Sequence, residues 1–90
     1  MAYIRVPAAL RKLTGARDRV EISIGTIRQG LQELEKRHPG IAERLMDASG
    51  NLLGYVNIYL NEEDIRFLQN LDTVAQAGDE ISIIPAIAGG

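Results

Sequence analysis

Apolar positions along this chain recur with a period of two, then near 3.6, then two again. Tyr3-Ile4-Arg5-Val6 alternates, which predicts a strand with Ile4 and Val6 facing inward and Tyr3 and Arg5 outward. Pro7 suits the end of a strand and not a central ladder. Between Ala8 and Gly15, Leu10 and Leu13 lie three apart and are expected to tuck under a loop or short turn, with Thr14-Gly15 as a turn signal. Val20, Ile22 and Ile24 alternate with Arg19, Glu21 and Ser23 as a second strand, so the chain is expected to open with a hairpin on a long connection.

At Gly25-Thr26 the period changes. Thr26-Ile27-Arg28-Gln29 has the spacing of a capping box, in which a threonine hydroxyl accepts from the amide three residues on. Ile27, Leu31 and Leu34 follow at i, i+4 and i+7, one apolar face of a helix. Gly30 beside that stripe costs about 1 kcal/mol relative to alanine in mid-helix, so close packing on a sheet is its expected reason. His38-Pro39-Gly40 ends the helix, because proline disfavours helical geometry in the residue before it. Ile41, Leu45 and Met46 fit a short second helical turn, and Ser49-Gly50-Asn51 a loop.

Tyr55-Val56-Asn57-Ile58-Tyr59-Leu60 is the best strand by composition and alternation. Asn61-Glu62-Glu63-Asp64 reads as a polar turn and Ile65-Arg66-Phe67 as a short returning strand. Leu68, Leu71 and Val74 are expected to pin an irregular segment to the core. Gly78-Asp79 is a turn, Glu80-Ile81-Ser82-Ile83-Ile84 the last strand, and Pro85 its stop. One main helix on one mixed sheet makes a two-layer α+β domain. That assigns residues 1–85 to the domain and 86–90 to a flexible C-terminal tail.

Composition narrows the possibilities. Ninety residues suffice for one domain. With 46% apolar residues and only 4% aromatics, Ile, Leu and Val must fill the core. A net charge of −2 argues against a general nucleic-acid binder. The charge is uneven: residues 1–28 carry six basic groups against Asp18 and Glu21, whereas residues 61–80 carry six acids against Arg66. These are either two ordinary solvated faces or a dipole that steers docking. No cysteine is present, which excludes disulfides, thiolate metal sites and a cysteine nucleophile. The first residues lack the apolar run of a signal peptide, and no stretch has the length of a membrane span, so a cytoplasmic protein, monomeric when free, is expected.

Enzyme signatures are missing. There is no glycine-rich phosphate loop and no His-Glu-x-x-His. The one histidine, His38, sits at a helix end and reads as a solvated or capping group. Glu62, Glu63 and Asp64 are adjacent, unlike the spaced ligands of a calcium loop, and read as a charged hairpin tip. No metal site or catalytic residue of its own is expected.

The end of the chain is the sharp feature. At a glycine frequency of about 7%, a Gly-Gly end arises by chance about half a per cent of the time. Paired glycines let the backbone approach another surface closely. Ala86 to Gly90 after Pro85 would therefore project as an arm that presents the Gly90 carboxylate to a second protein; a frayed terminus is the bland alternative.

The element order, the Val56-Asn57 strand, Ala77-Gly78-Asp79-Glu80-Ile81 leading into the last strand and the Pro85-Ala86-Ile87-Ala88-Gly89-Gly90 ending together resemble the MoaD/ThiS family of β-grasp (ubiquitin-like) sulfur carriers. Glu43-Arg44-Leu45-Met46-Asp47, the run from Tyr55 to Phe67 and the Ala-Ile-Ala-Gly-Gly end are most similar to its CysO-type branch, which serves cysteine biosynthesis. The resemblance implies that an E1-like adenylyltransferase uses ATP to activate the Gly90 carboxylate, and that sulfide then converts it to a thiocarboxylate. It implies that Ile87, Ala88, Gly89 and Gly90 thread the partner's active site. The acceptor would be a pyridoxal-phosphate (PLP) cysteine synthase followed by a zinc metalloprotease, or else the large subunit of molybdopterin synthase; thiamin and tRNA thiolation stand behind these. ATP, PLP and zinc would all belong to partners. A ubiquitin-like modifier of lysines and an inert binding module stay open as other readings. Docking needs a surface as well: by alternation Ile84 faces outward, and Tyr59 shares that face if the two strands are close, which would make an apolar docking patch.

Overall fold

The computed structural model describes residues 1–85. Strands β1 (Ala2–Arg5) and β2 (Arg19–Ile22) form the opening antiparallel pair, with Ile4 opposite Val20 and Ala2 opposite Ile22. Those four side chains are buried, while Arg5, Arg19 and Glu21 face solvent. The long connection is a 3-10 helix, Ala8–Thr14, entered from Pro7 and left through Gly15 in the left-handed conformation. Leu10 is buried beneath it and Leu13 packs partly on the core. Thr14 is buried too, its hydroxyl donating to the Arg17 carbonyl at 2.8 Å, which ties off the turn.

A two-residue strand β3 (Gly25–Thr26) leads into helix α1 (Ile27–Arg37). The capping box is complete: Thr26 Oγ1 accepts from the Gln29 N–H at 3.1 Å, and Gln29 Oε1 accepts from the Thr26 N–H at 2.9 Å. Two otherwise orphaned donors of the first turn are thereby satisfied. Ile27, Leu31 and Leu34 are all buried. Gly30 shows why it lacks a side chain: a Cβ there would lie 2.6 Å from Ile22 Cδ1 on β2. The helix stops at His38, before Pro39. Glu35 then reaches over the next turn, accepting from the N–H groups of Ala42 at 2.9 Å and Gly40 at 3.0 Å; these bonds hold its carboxyl below the usual range.

Ile41 and Leu45, both buried, flank a 3-10 turn at Ala42–Arg44, and Met46 bridges to Leu52. Strand β4 (Val56–Leu60) turns at Asn61 into the two-residue β5 (Glu63–Asp64). Two 3-10 turns, Ile65–Phe67 and Asn70–Asp72, lead to β6 (Val74–Ala75), which pairs with β3, and then to β7 (Glu80–Pro85). The main sheet runs β2-β1-β7-β4-β5, with β7 parallel to β1 and antiparallel to β4. One face buries Ile4, Ile22, Ile58, Ile81 and Ile83 against α1; the other carries the outward residues of every strand.

Several expectations change. Ile24 is not an inward strand residue: β2 ends at Ile22, and Ile24 is exposed where the chain turns toward the helix. Ile65–Phe67 is a 3-10 turn and not a strand, because the Asp64 carboxylate caps it by accepting from the Arg66 N–H at 2.9 Å. Asp64 is accordingly buried and paired, unlike Glu62 and Glu63, which are the exposed tip. Leu71 pins the following segment, but Leu68 and Val74 are exposed, and Thr73 and Ala75 are buried in place of Val74. Pro85 ends β7 from within, paired with Val56, since a strand's last residue need not donate to the ladder. The 86–90 tail lies outside the described residues.

Candidate functional site

The site grows from the end of β7. Ile83 faces the core, so Ile84 must face away from it, and it is 48% exposed. The β4–β7 register places Asn57 opposite Ile84 and Tyr59 opposite Ser82. Residues directly opposite in an antiparallel pair share a face. Tyr59 and Ile84 therefore lie on one face as diagonal neighbours, with backbones about 7–8 Å apart. The expectation that Tyr59 joins this face is met because β4 and β7 are adjacent, although Tyr59 is half-buried. Ile87, Ala88, Gly89 and Gly90, the expected threading segment and modified residue, lie outside the described residues.

Charged groups frame Ile84 on both sides. Toward the N-terminal strands, Glu80 lies 3.6 Å from Arg5 and 3.8 Å from Arg19, whose guanidinium stacks 4.1 Å above the Tyr3 ring. A hollow of about 270 Å³ beside Ile84 is lined by Arg5, Val6, Pro7, Arg11, Ser82 and Ile83. Toward β5, Arg66 Nη2 donates to Asp64 Oδ2 at 2.8 Å and to Asn57 Oδ1 at 2.7 Å. This bonding holds the Asp64 carboxyl below its usual range and raises the already basic Arg66.

Sequence reasoning missed Arg11 and the Asn57–Arg66–Asp64 cluster. The Asp-x-Arg spacing of 64 and 66 was the available signal, since an aspartate can cap a turn two residues on. His38 is not brought to this face; it lines a hollow with Arg17, Val20, Glu21 and Arg37. Among the described residues no group of three or more histidines and carboxylates could hold a metal ion, and no helix is long and apolar enough to cross a membrane. The arrangement can present an apolar contact in a charged frame at the end of β7.

A mixed sheet grasping one main helix, with its last strand leading to a terminal Gly-Gly, defines a ubiquitin-like β-grasp protein. The chain belongs to the ThiS family, whose description matches residues 4–90. It is 44% identical to the sulfur carrier protein CysO of Mycobacterium tuberculosis over 89 residues, 97% of this chain and 96% of that one. The crystal structure of the Amycolatopsis orientalis BexX/CysO complex contains a chain that superposes with a TM-score of 0.93 at 36% identity, covering 100% of both chains. The small archaeal modifier protein 3 of Haloferax volcanii is 32% identical over 65 residues, 72% of this chain and 70% of that one.

Proposed function

We propose that this chain is a sulfur carrier whose working group is the Gly90 carboxylate. The observation that carries the reading is its 44% identity to CysO along nearly the whole of both chains, on a sequence that ends in Gly89-Gly90. A carboxylate resists substitution because oxide would have to leave. An E1-like partner would join it to the AMP portion of ATP, with release of pyrophosphate, so that AMP becomes the leaving group. A sulfide donor then attacks the acyl carbon, the C–O bond to AMP breaks and a thiocarboxylate remains on Gly90. Sulfur held this way is nucleophilic yet tethered, and the lack of cysteine leaves no competing thiol on the carrier.

Cysteine biosynthesis is the favoured destination, with a PLP cysteine synthase accepting the sulfur and a zinc metalloprotease releasing the product. Docking would use the face of Tyr59 and Ile84, while Ile87, Ala88, Gly89 and Gly90 enter the partner's active site. A second reading, a modifier that joins lysines through the same activated Gly90, is favoured by the similarity to a small archaeal modifier, which is lower and covers less of the chain.

The test is the intact mass of the protein after incubation with its cognate E1-like enzyme, ATP and sulfide. Exchange of one oxygen for sulfur at Gly90 is expected. An unchanged mass, with the enzyme active on another carrier, would overturn the reading, and lysine-linked adducts in place of sulfur transfer would favour the modifier.

A further inference from the structure

Arg28, in the first turn of α1, and Arg66, just after β5, line one pocket of about 310 Å³. Leu52, Leu53, Val56 and Leu71 give that pocket an apolar wall. Neither guanidinium is fully engaged by the described residues. Arg28 donates through Nη1 to the Gly50 carbonyl at 3.3 Å, and its Nε stands 3.7 Å from Asp72, longer than a hydrogen bond. Arg66 is engaged through Nε and Nη2 with Asp64 and Asn57. Among the described residues, Arg28 Nη2 and Arg66 Nη1 are thus left for an incoming acceptor. Asp72 is the one carboxylate in the lining, and its side chain is 75% exposed. An occupant of this pocket needs a short apolar body and an anionic end.

A segment of that kind starts beside it. Val56 lines the pocket and is also the partner of Pro85, the last described residue of β7. Residue 86 therefore starts about one strand spacing, about 4.8 Å, from the pocket wall. Pairing continued in the same register would run past Tyr55 and Gly54. No atom lies within 4 Å of where a Gly54 Cβ would stand, so a backbone has room to pass there. Five residues remain, Ala86-Ile87-Ala88-Gly89-Gly90, and at about 3.3 Å each they reach about 16 Å. Ile87 is the one large apolar side chain among them, and the terminal carboxylate is the one charge. An isoleucine three residues before a carboxylate complements a leucine wall beside two arginines, whose N–H groups make charge-assisted bonds to carboxylates.

We infer that this pocket is the resting site of the chain's own end, with Ile87 against Leu52 and Leu53 and the Gly90 carboxylate on Arg28 and Arg66. The tail is then seated on its own domain until a partner draws it out. That consequence rests on the carrier reading, in which Gly90 must enter a partner's active site; the resting contact itself does not.

The test uses the full 90-residue chain, isotope-labelled, and reads the backbone order parameters of Gly89 and Gly90 by NMR. Values above about 0.6 are expected for a seated segment. Ile87→Gly is expected to bring both below about 0.6 and to shift the amide signals of Leu53, Gly54 and Leu71. Arg28→Gln should release the two glycines in the same way. Ile87→Gly removes nothing from the buried core, so it decides the matter even where Arg28→Gln disturbs the fold. Low order parameters in the parent chain would overturn the inference, and so would an Ile87→Gly variant that leaves the pocket signals and the glycines as they were. Order that fades on dilution would overturn it too, because the pocket would then hold the tail of a second copy. Sulfur loading of the parent, read by intact mass, reports separately on the carrier reading.

Discussion

The two faces of the sheet are built to different rules. Toward α1, Ile4, Ile22, Ile58, Ile81 and Ile83 interlock with Ile27, Leu31 and Leu34, and each fully buried aliphatic side chain contributes about 1.5–3 kcal/mol. Toward the outside, Arg5, Arg19 and Glu80 form partly exposed ion pairs at 3.6 and 3.8 Å, which contribute about 0–1 kcal/mol each. The difference separates stability from recognition. The inner face is constrained by volume, while Ile84 can be chosen for a partner at little cost to folding.

The sharpest way to break this comparison is a deletion in the buried layer. Leu34→Ala, at a fully buried helix position, is expected to lower unfolding free energy by about 2–5 kcal/mol in urea titration. A loss near that of a surface substitution would mean that the helix is not the main support. Gly30→Val is next: its side chain must enter space held by Ile22 Cδ1, and a cost of about 1–3 kcal/mol is expected in the same titration. A neutral result would show that the end of the Ile22 side chain turns aside to make room.

On the other face, Ile84→Asp is expected to leave the unfolding free energy within about 0.5 kcal/mol of the parent. It should weaken binding to the E1-like partner proposed above about tenfold, or about 1.4 kcal/mol. Loss of the folded circular dichroism spectrum would place Ile84 in the stabilising layer and dissolve the distinction.

Acid sensitivity is the smallest expected effect and the one that both faces share. Glu35 on the helix side and Asp64 opposite Tyr59 on the outer side both ionise below the usual carboxylate range. The folded state therefore binds fewer protons than the unfolded chain in acid, so stability rises with pH. Their contribution should be complete above about pH 5 and fade as pH falls through the lowered folded values. Glu35→Gln and Asp64→Asn should each flatten the acid limb of thermal midpoint against pH, and an unaltered limb in either would remove that carboxylate from the account.

Local signals read correctly where one residue's neighbours in sequence are also its neighbours in space. The Thr26–Gln29 box, the stop at His38-Pro39 and the inward positions Ile4, Ile22 and Ile58 were legible for that reason. Ile65–Phe67 was misread because three residues rich in branched and aromatic side chains look alike in a strand and in an exposed turn; the Asp64 cap decided between them. Leu68 and Val74 were misplaced because hydrophobicity alone does not state which side of an irregular segment meets the core. The candidate docking face was half legible: alternation turned Ile84 outward, but its pairing with β4 beside Tyr59 required the sheet order.

The sequence by itself determined the alternation of the main strands, the one amphipathic helix, its caps and the Gly-Gly end, because each depends on periodicity or on chemistry within a few residues. The tertiary structure alone decided that β7 lies between β1 and β4 and that Ile84 stands diagonally from Tyr59 on the outer face. Those arrangements follow from contacts between segments far apart in the chain, where burying the same apolar stripes together selects one packing that no local pattern encodes.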